Sequence, residues 1–470
     1  MPFTDQLQQW AQRRPEHPAV IVGGRTLNYA QLSAVCTPPA AAGLGVIDTP
    51  DGADLALALC AAISGEGTAA VLDAGWPAAL KDSVREAAGA WAATHIQPAQ
   101  GRAGSEETTF LLGFSSGTSG IPKAFTRSRV SWRSSIAASI DYFGLQPSDV
   151  TLVPGPPSAS MNLYALAECL ASGSTFVGLA GFSARSALAA IEKYGVTRLV
   201  VVPSVLKLMA DAGLAAERCS RGLRSIVCAG SALSGETLHA ARAWAPNATI
   251  HQYYGAAELG FIAAMEAAPG QGATTVGQPF PGVEIRIIGG DGQDMPAGRI
   301  GSIYVRSPYV SDGYAWGEDH LAFGALDSGA GGSRETNWHT VRDQGFLDEN
   351  GALMVMGRAS EMMLVAGNNV YPQEIETVLS AGNPHLVVLA GGLTDAHRGQ
   401  RIVVGVFSAS LPQKNAVDAL RAQARTLPAA HRPGAYYVLT QMPETAAGKP
   451  SRVMLLDWIE RGDPRAQRIQ

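Results

Sequence analysis

The stretch Thr109-Phe110-Leu111-Leu112-Gly113-Phe114-Ser115-Ser116-Gly117-Thr118-Ser119-Gly120-Ile121-Pro122-Lys123 runs from an apolar strand into a loop of Ser, Gly and Thr closed by Pro and Lys. Glycines let successive backbone N–H groups converge on an anion with no Cβ in the way. The hydroxyls of Ser115, Ser116, Thr118 and Ser119 add donors, and Lys123 adds a full positive charge. The pattern predicts a phosphate-gripping turn at the end of a buried strand. It is not the P-loop of nucleotide hydrolases, which needs Gly directly before Lys, where this chain has Pro122. Taken alone, the same composition also suits an exposed Gly/Ser surface loop, so its surroundings must decide.

Downstream, the chain alternates helix-like and strand-like segments. Helices are expected at 184–194 (ARSALAAIEKY), 204–212 and 234–245, the last opened by Ser234. Strands are expected at 198–202, 224–228 and 248–252. Short apolar strands alternating with helices predict a layered α/β domain with parallel strands. Residues 323–333 (FGALDSGAGGS) read as a surface loop. After about residue 357 the pattern changes to strands at 386–390, 401–407 and 435–439, with helices near 372–380 and 413–427, a small α+β arrangement. Two domains are therefore expected, 1–357 and 358–470, with the seam at Gly357-Arg358.

A chain of 470 residues is long enough for two or three domains with substantial cores. Apolar residues at 46% and charged residues at 16% describe a globular chain, not a disordered one. A net charge of -5 without a clustered basic face argues against nucleic acid as a partner. Five scattered cysteines with no CxxC argue against a disulfide framework or zinc site and suit a reducing compartment. The polar start and the lack of an 18-residue apolar run predict no signal peptide and no membrane span, with the cytoplasm as the expected location.

Four more segments follow the phosphate loop. They are Gln252-Tyr253-Tyr254-Gly255-Ala256-Ala257-Glu258; His339-Thr340-Val341-Arg342-Asp343-Gln344-Gly345-Phe346; Gly357-Arg358 with Val365-Ala366-Gly367-Asn368-Asn369-Val370-Tyr371-Pro372; and Pro443-Glu444-Thr445-Ala446-Ala447-Gly448-Lys449-Pro450. Each alone has a bland reading: Lys449 as a solvated turn lysine, Asp343 as a turn former, the tyrosines as core or rim aromatics. Taken together, in this order and spacing, they resemble the adenylate-forming superfamily of acyl-CoA synthetases, adenylation domains and firefly luciferase.

The resemblance implies a large N-terminal α/β domain, a small mobile C-terminal α+β domain, and roles for single residues. Ser115, Ser116, Gly117, Thr118, Ser119, Gly120 and Lys123 would hold the ATP β,γ-phosphates. Tyr254 would stack on adenine, with Tyr253 and Gly255 beside it, and Gly230-Ser231-Ala232 would wall the adenine and the substrate. Glu258 with Thr118 would anchor Mg2+. Asp343, helped by Arg358, would accept the ribose hydroxyls. Lys449 would reach the substrate carboxylate and the α-phosphate in the first half-reaction, with Lys123 and Glu258 as the other catalytic charges. The implied reaction is activation of a carboxylic acid as acyl-AMP, then transfer to CoA or, as the alternative, to the phosphopantetheine arm of a carrier protein. A basic surface for the CoA phosphates would favour CoA.

The chain departs from the family's usual pattern at several points. Ala257 stands where Thr or Ser usually precedes the metal-binding Glu. Val341-Arg342 stands for Thr-Gly, and Ser360 for the hinge Asp or Lys. Met362-Met363-Leu364 follow, where a basic residue is usual. These departures leave open a third reading, a nucleotide-binding relative that has lost its activity. The region before the loop is also short and Ala/Gly-rich at 36–75. Segments 154–164, 203–207, 228–232 and 253–258 are expected to line the acid pocket. Ser158-Ala159-Ser160-Met161 lack the Asp that amino-acid-activating relatives place there. A buried ammonium would then lack a counter-charge, so a fatty, hydroxy or aryl acid is expected rather than an α-amino acid. The protein is expected to be a monomer or homodimer.

Overall fold

The computed structural model describes all residues except 1, 38–40, 97–106, 116–120, 273, 318–322, 326–337, 382, 384–385, 396, 409–412, 445–449 and 470. Parallel strands Thr249–Ala256, Ser225–Cys228, Arg198–Val201, Val150–Val153, Thr175–Gly178 and Pro18–Val22 lie side by side in that order. Short runs such as Arg198–Val201 and Thr175–Gly178 are buried along their whole length. A strand covered on both faces needs a continuous apolar run rather than alternation. Helices Ala184–Tyr194, Pro203–Ala215 and Gly235–Trp244 separate the strands. The Ser234 hydroxyl accepts from the Thr237 N–H at 3.1 Å and caps the last of these, a contact that contributes about 1 kcal/mol. The expected elements form, and the α/β class is as read from the sequence.

Several boundaries differ: the strand expected at 386–390 runs from Val387 to Asp395, the helix expected at 413–427 is Gln413–Ala424, and three further differences bear on the site. The strand expected at 248–252 runs from Thr249 to Ala256, so the Tyr-Tyr-Gly motif lies within it rather than after it. An antiparallel partner, Gly260–Glu266, continues the ladder. Gly255 permits this, since a Cβ there would lie 2.5 Å from the Gly260 carbonyl oxygen. The strand Leu353–Arg358 includes Gly357 and Arg358, so both residues of the expected seam belong to the larger sheet; a single 3-10 turn, Ala359–Glu361, follows. Within the expected surface loop at 323–333, Gly324–Ala325 pairs with His339–Thr340, and 326–333 lie outside the described residues.

A second sheet holds Tyr314–Trp316, Lys123–Ser128, Thr109–Ser115, Thr68–Val71 and Leu44–Ile47 in that order. It carries the phosphate-loop strand, whose Phe110, Leu111 and Leu112 are buried. The small C-terminal sheet joins Asn368–Val370, Met363–Val365, Gly399–Phe407, Ala435–Leu439 and Ala466–Ile469, with Val387–Asp395 on the flank of Gly399–Phe407. Its own apolar clusters include Ile375, Leu379, Val404 and Val438 on one face, and Leu389, Leu455 and Trp458 on the other. Among the described residues, no helix is long and apolar enough to cross a membrane.

Candidate active site

The parallel strands end on one edge of the large sheet, where open α/β sheets bind ligands. Gly230, Ser231 and Ala232 follow Ser225–Cys228 there and are exposed, and Gly230 takes a positive φ of 92°. Residues 154–159 leave Val150–Val153 on the same edge. The Thr249–Ala256 strand ends at the turn carrying Glu258, a carboxylate with 9% exposure.

Glu258 and the loop lysine meet through one side chain. The Tyr314 hydroxyl donates to Glu258 Oε1 at 3.0 Å. Lys123 Nζ lies over the same tyrosine ring, 5.8 Å from its centroid. Behind them, the buried Arg127 guanidinium donates from Nη2 to the Ala257 carbonyl and from Nη1 to the Tyr309 carbonyl. Burial pushes Arg127 down to about 10, against the pull of Glu258 and Asp312, so it stays charged at neutral pH. The Ser311 N–H donates to the Glu258 carbonyl at 2.8 Å. The Glu258 turn is thus tied to the segment 309–314 by three backbone carbonyls.

Tyr254 and Asp343 also meet, 89 residues apart in the chain: the tyrosine hydroxyl donates to Asp343 Oδ2. Asp343 opens its strand directly across from Arg358, and Arg358 Nε lies 3.7 Å from Asp343 Oδ1. Burial pushes the Asp343 carboxyl above its usual range, against Tyr254 and Arg358, which favour ionisation. Tyr254 is raised well above its usual value by burial, then by Asp343. Among the described residues, no hydrogen-bond donor reaches the buried Asp343 Oδ1. A buried acceptor of this kind calls for an explanation, and a ribose hydroxyl would supply the missing donor. The residues present fit a nucleotide.

Among the residues expected to act, the structure brings Lys123 and Glu258 to one tyrosine, Tyr314, and brings Tyr254, Asp343 and Arg358 to one another. Tyr253, next to Tyr254, packs edge-on against Phe261 with centroids 4.7 Å apart, in an aromatic cluster rather than at the Asp343 contact. Ser115 ends its strand in register with Lys123. Ser116, Gly117, Thr118, Ser119, Gly120 and Lys449 lie outside the described residues. Gly367 completes the hairpin turn between Met363–Val365 and Asn368–Val370 with φ of 80°, and among the described residues nothing approaches within 4 Å of where its Cβ would be. Sequence reasoning missed Arg127 and Tyr314. An arginine amid the buried run Ala124–Ser128 was the available signal for the first; for Tyr314 only the Gly313-Tyr314 pair in a polar connection hinted at a role.

Fold and site together define a nucleotide-dependent enzyme of the adenylate-forming class. The family model for AMP-binding enzymes matches residues 52–315. An uncharacterized acyl--CoA ligase of Bacillus subtilis (strain 168) is 31% identical over 356 residues, covering 75% of this chain and 69% of that protein. A fatty acid--[acyl-carrier-protein] ligase of Streptomyces coeruleorubidus is 28% identical over 384 residues, covering 79% and 72%. The solved o-succinylbenzoate CoA synthetase of Bacillus subtilis, in complex with its acyl-adenylate intermediate, superposes with a TM-score of 0.78 at 23% identity, covering 96% and 97% of the two chains. The chain belongs to the AMP-binding enzyme family.

Proposed function

We propose that this protein is an ATP-dependent acid–thiol ligase that makes an acyl-adenylate, releases pyrophosphate, and passes the acyl group to CoA. The observation that carries the nucleotide step is the Tyr254–Asp343 contact with its unsatisfied buried Oδ1. An acid attacking the α-phosphate brings two anions together, so the work is positioning and charge neutralisation. The acid is already ionised at pH 7 and needs no general base. Lys123 would meet the outer phosphates, and Asp343 with Arg358 would fix the ribose. Lys449 would bridge the carboxylate and the α-phosphate, and Glu258 with Thr118 would hold Mg2+, which supplies charge neutralisation.

Residues 1–357 would bind ATP and acid, and the C-terminal part would turn about Ser360 between half-reactions, withdrawing Lys449 and presenting 365–371 to the thiol. What supports CoA over a carrier arm is a groove of about 710 Å³ lined by Arg421, Arg425, Arg432, Arg468 and Tyr436. Guanidinium groups suit phosphate oxygens. The turn leading into the groove, Ala429–His431, packs on the Asn368–Val370 strand of the proposed thiol hairpin. The carrier-loading alternative has its own support in the relative that is a fatty acid--[acyl-carrier-protein] ligase. The acid would be fatty, hydroxy or aryl, since no carboxylate stands at 158–161 to pair an ammonium.

The test is acid-dependent exchange of labelled pyrophosphate into ATP over a panel of acids, followed by thioester formation with CoA and with a holo carrier protein. No exchange with any acid would leave a binding protein without the activity; thioester on the carrier alone would replace CoA. Lys449→Ala should lower exchange by about 10²–10³ while sparing thioester formation from supplied acyl-adenylate. Equal loss of both would remove Lys449 from its role.

A further inference from the structure

The strand Tyr314–Trp316 pairs antiparallel with Lys123–Ser128, placing Tyr314 opposite Phe125, two residues from the loop lysine. The Trp316 indole N–H donates to the Pro122 carbonyl at 2.9 Å, holding the exit of the phosphate loop to the same strand. At the other end, the Thr126 N–H donates to the Gly313 carbonyl at 2.9 Å. Tyr314 is therefore fixed on both sides. From this position its hydroxyl reaches Glu258 Oε1, and its ring lies beneath Lys123 Nζ. Among the described residues, no other hydrogen bond reaches the Glu258 carboxylate.

The geometry points to Tyr314 as a positioning residue for the ATP half-reaction, turning the Glu258 carboxylate toward a divalent cation and seating the Lys123 ammonium. The inference rests on the ATP-binding reading above. A carboxylate that accepts one bond from a neutral hydroxyl keeps its charge for the cation, whereas a bond from arginine or lysine would neutralise it. Hydrogen-bond partners of metal ligands orient them, and losing one typically weakens metal affinity by about 10–100-fold. The aromatic face would restrain the lysine with a weak attraction, worth about two- to fivefold in affinity. Arg127 fixes the backbone on both sides of this contact, at Ala257 and Tyr309, so the two side chains are held in register.

The experiment measures Mn2+ binding by electron paramagnetic resonance, with a non-hydrolysable ATP analogue present, for the whole protein and for Tyr314→Phe, Glu258→Gln and the double variant. Tyr314→Phe should weaken Mn2+ about 10–100-fold, raise KM for metal–ATP, and leave KM for the acid and the thermal midpoint unchanged. The double variant should bind no more weakly than Glu258→Gln alone, because the tyrosine acts through the carboxylate. Tyr314→Leu, which also removes the ring, should lose a further two- to fivefold in ATP affinity, about the size of the lost lysine contact. Mn2+ affinity within twofold of wild type in Tyr314→Phe, or losses that add in the double variant, would overturn the inference while exchange by the wild type leaves the ligase reading standing. A wild type that takes up no Mn2+ with the nucleotide would overturn both.

Discussion

The two edges of the parallel sheet treat charge in opposite ways. At the N-terminal ends of the strands, full charges face full charges. Arg198, 2% exposed, donates from Nη2 to Glu168 at 3.0 Å. Asp149 accepts from Arg224 and, at 2.5 Å, from the Thr197 hydroxyl. At the C-terminal ends, the two acids of the site each accept their hydrogen bond from a tyrosine, Tyr314 on Glu258 and Tyr254 on Asp343, and the arginine beside Asp343, Arg358, is exposed and stays 3.7 Å away. A neutral hydroxyl orients a carboxylate without cancelling its charge. One edge thus pairs its ions for architecture, and the other leaves its acids the charge that the proposed cation and ribose contacts require.

That contrast breaks most visibly if the architectural edge is disarmed. Glu168→Ala would leave Arg198 charged and buried without its counter-ion, a change expected to remove about 3–5 kcal/mol of stability. Urea unfolding would show it, while pyrophosphate exchange per folded molecule should hold. Replacing both partners with apolar residues, Glu168→Leu with Arg198→Met, should recover most of the loss. A single variant that loses less than about 1 kcal/mol would mean that this pair carries no more than a surface one.

The opposite result is expected at the other edge. Glu258→Gln keeps the volume and an acceptor for Tyr314 but removes the charge. Adenylation should fall by about 10²–10³, with the thermal midpoint nearly unchanged. Loss of stability comparable to that of Glu168→Ala would erase the distinction between the edges.

How much of this was legible depended on whether each feature is local. The helix at Gly235–Trp244 announces itself by Ser234, and strands such as Arg198–Val201 by short apolar runs between helices, because capping and burial act within a few residues. Lys123, Glu258 and Asp343 are nominated only by the joint order of the motifs, which no single residue carries. The extension of Thr249–Ala256 was not, since Tyr-Tyr-Gly-Ala suits a strand or a turn until Gly260–Glu266 pairs with it. Arg127 stands out in sequence only as an arginine within a strand-like run; the carbonyls of Tyr309 and Ala257 that accept from it arrive from elsewhere in the chain. The arginine groove is assembled from the 413–424 helix, the turn after it and two strands, and no window of sequence contains it.

The smallest expected effect sharpens the comparison most, because it separates function from stability in one residue. Burial raises the Asp343 carboxyl above its usual range. An acid whose folded value exceeds its unfolded value is penalised when ionised. The penalty is absent below the unfolded value, builds as pH rises from the unfolded value toward the folded one, and is complete above the folded value. An asparagine in its place cannot ionise, so Asp343→Asn should melt higher than wild type at pH 7, with the difference closing in acid. The same change weakens the acceptor offered to the ribose, and a hydrogen bond to a charged group contributes about 1.5–3 kcal/mol. KM for ATP should therefore rise by roughly 10–100-fold, with KM for the acid unmoved. A variant that melted lower at pH 7 would mean that Asp343 is held as Glu168 is, for architecture. One that bound ATP as well as wild type would leave its buried Oδ1 without a ligand to explain it.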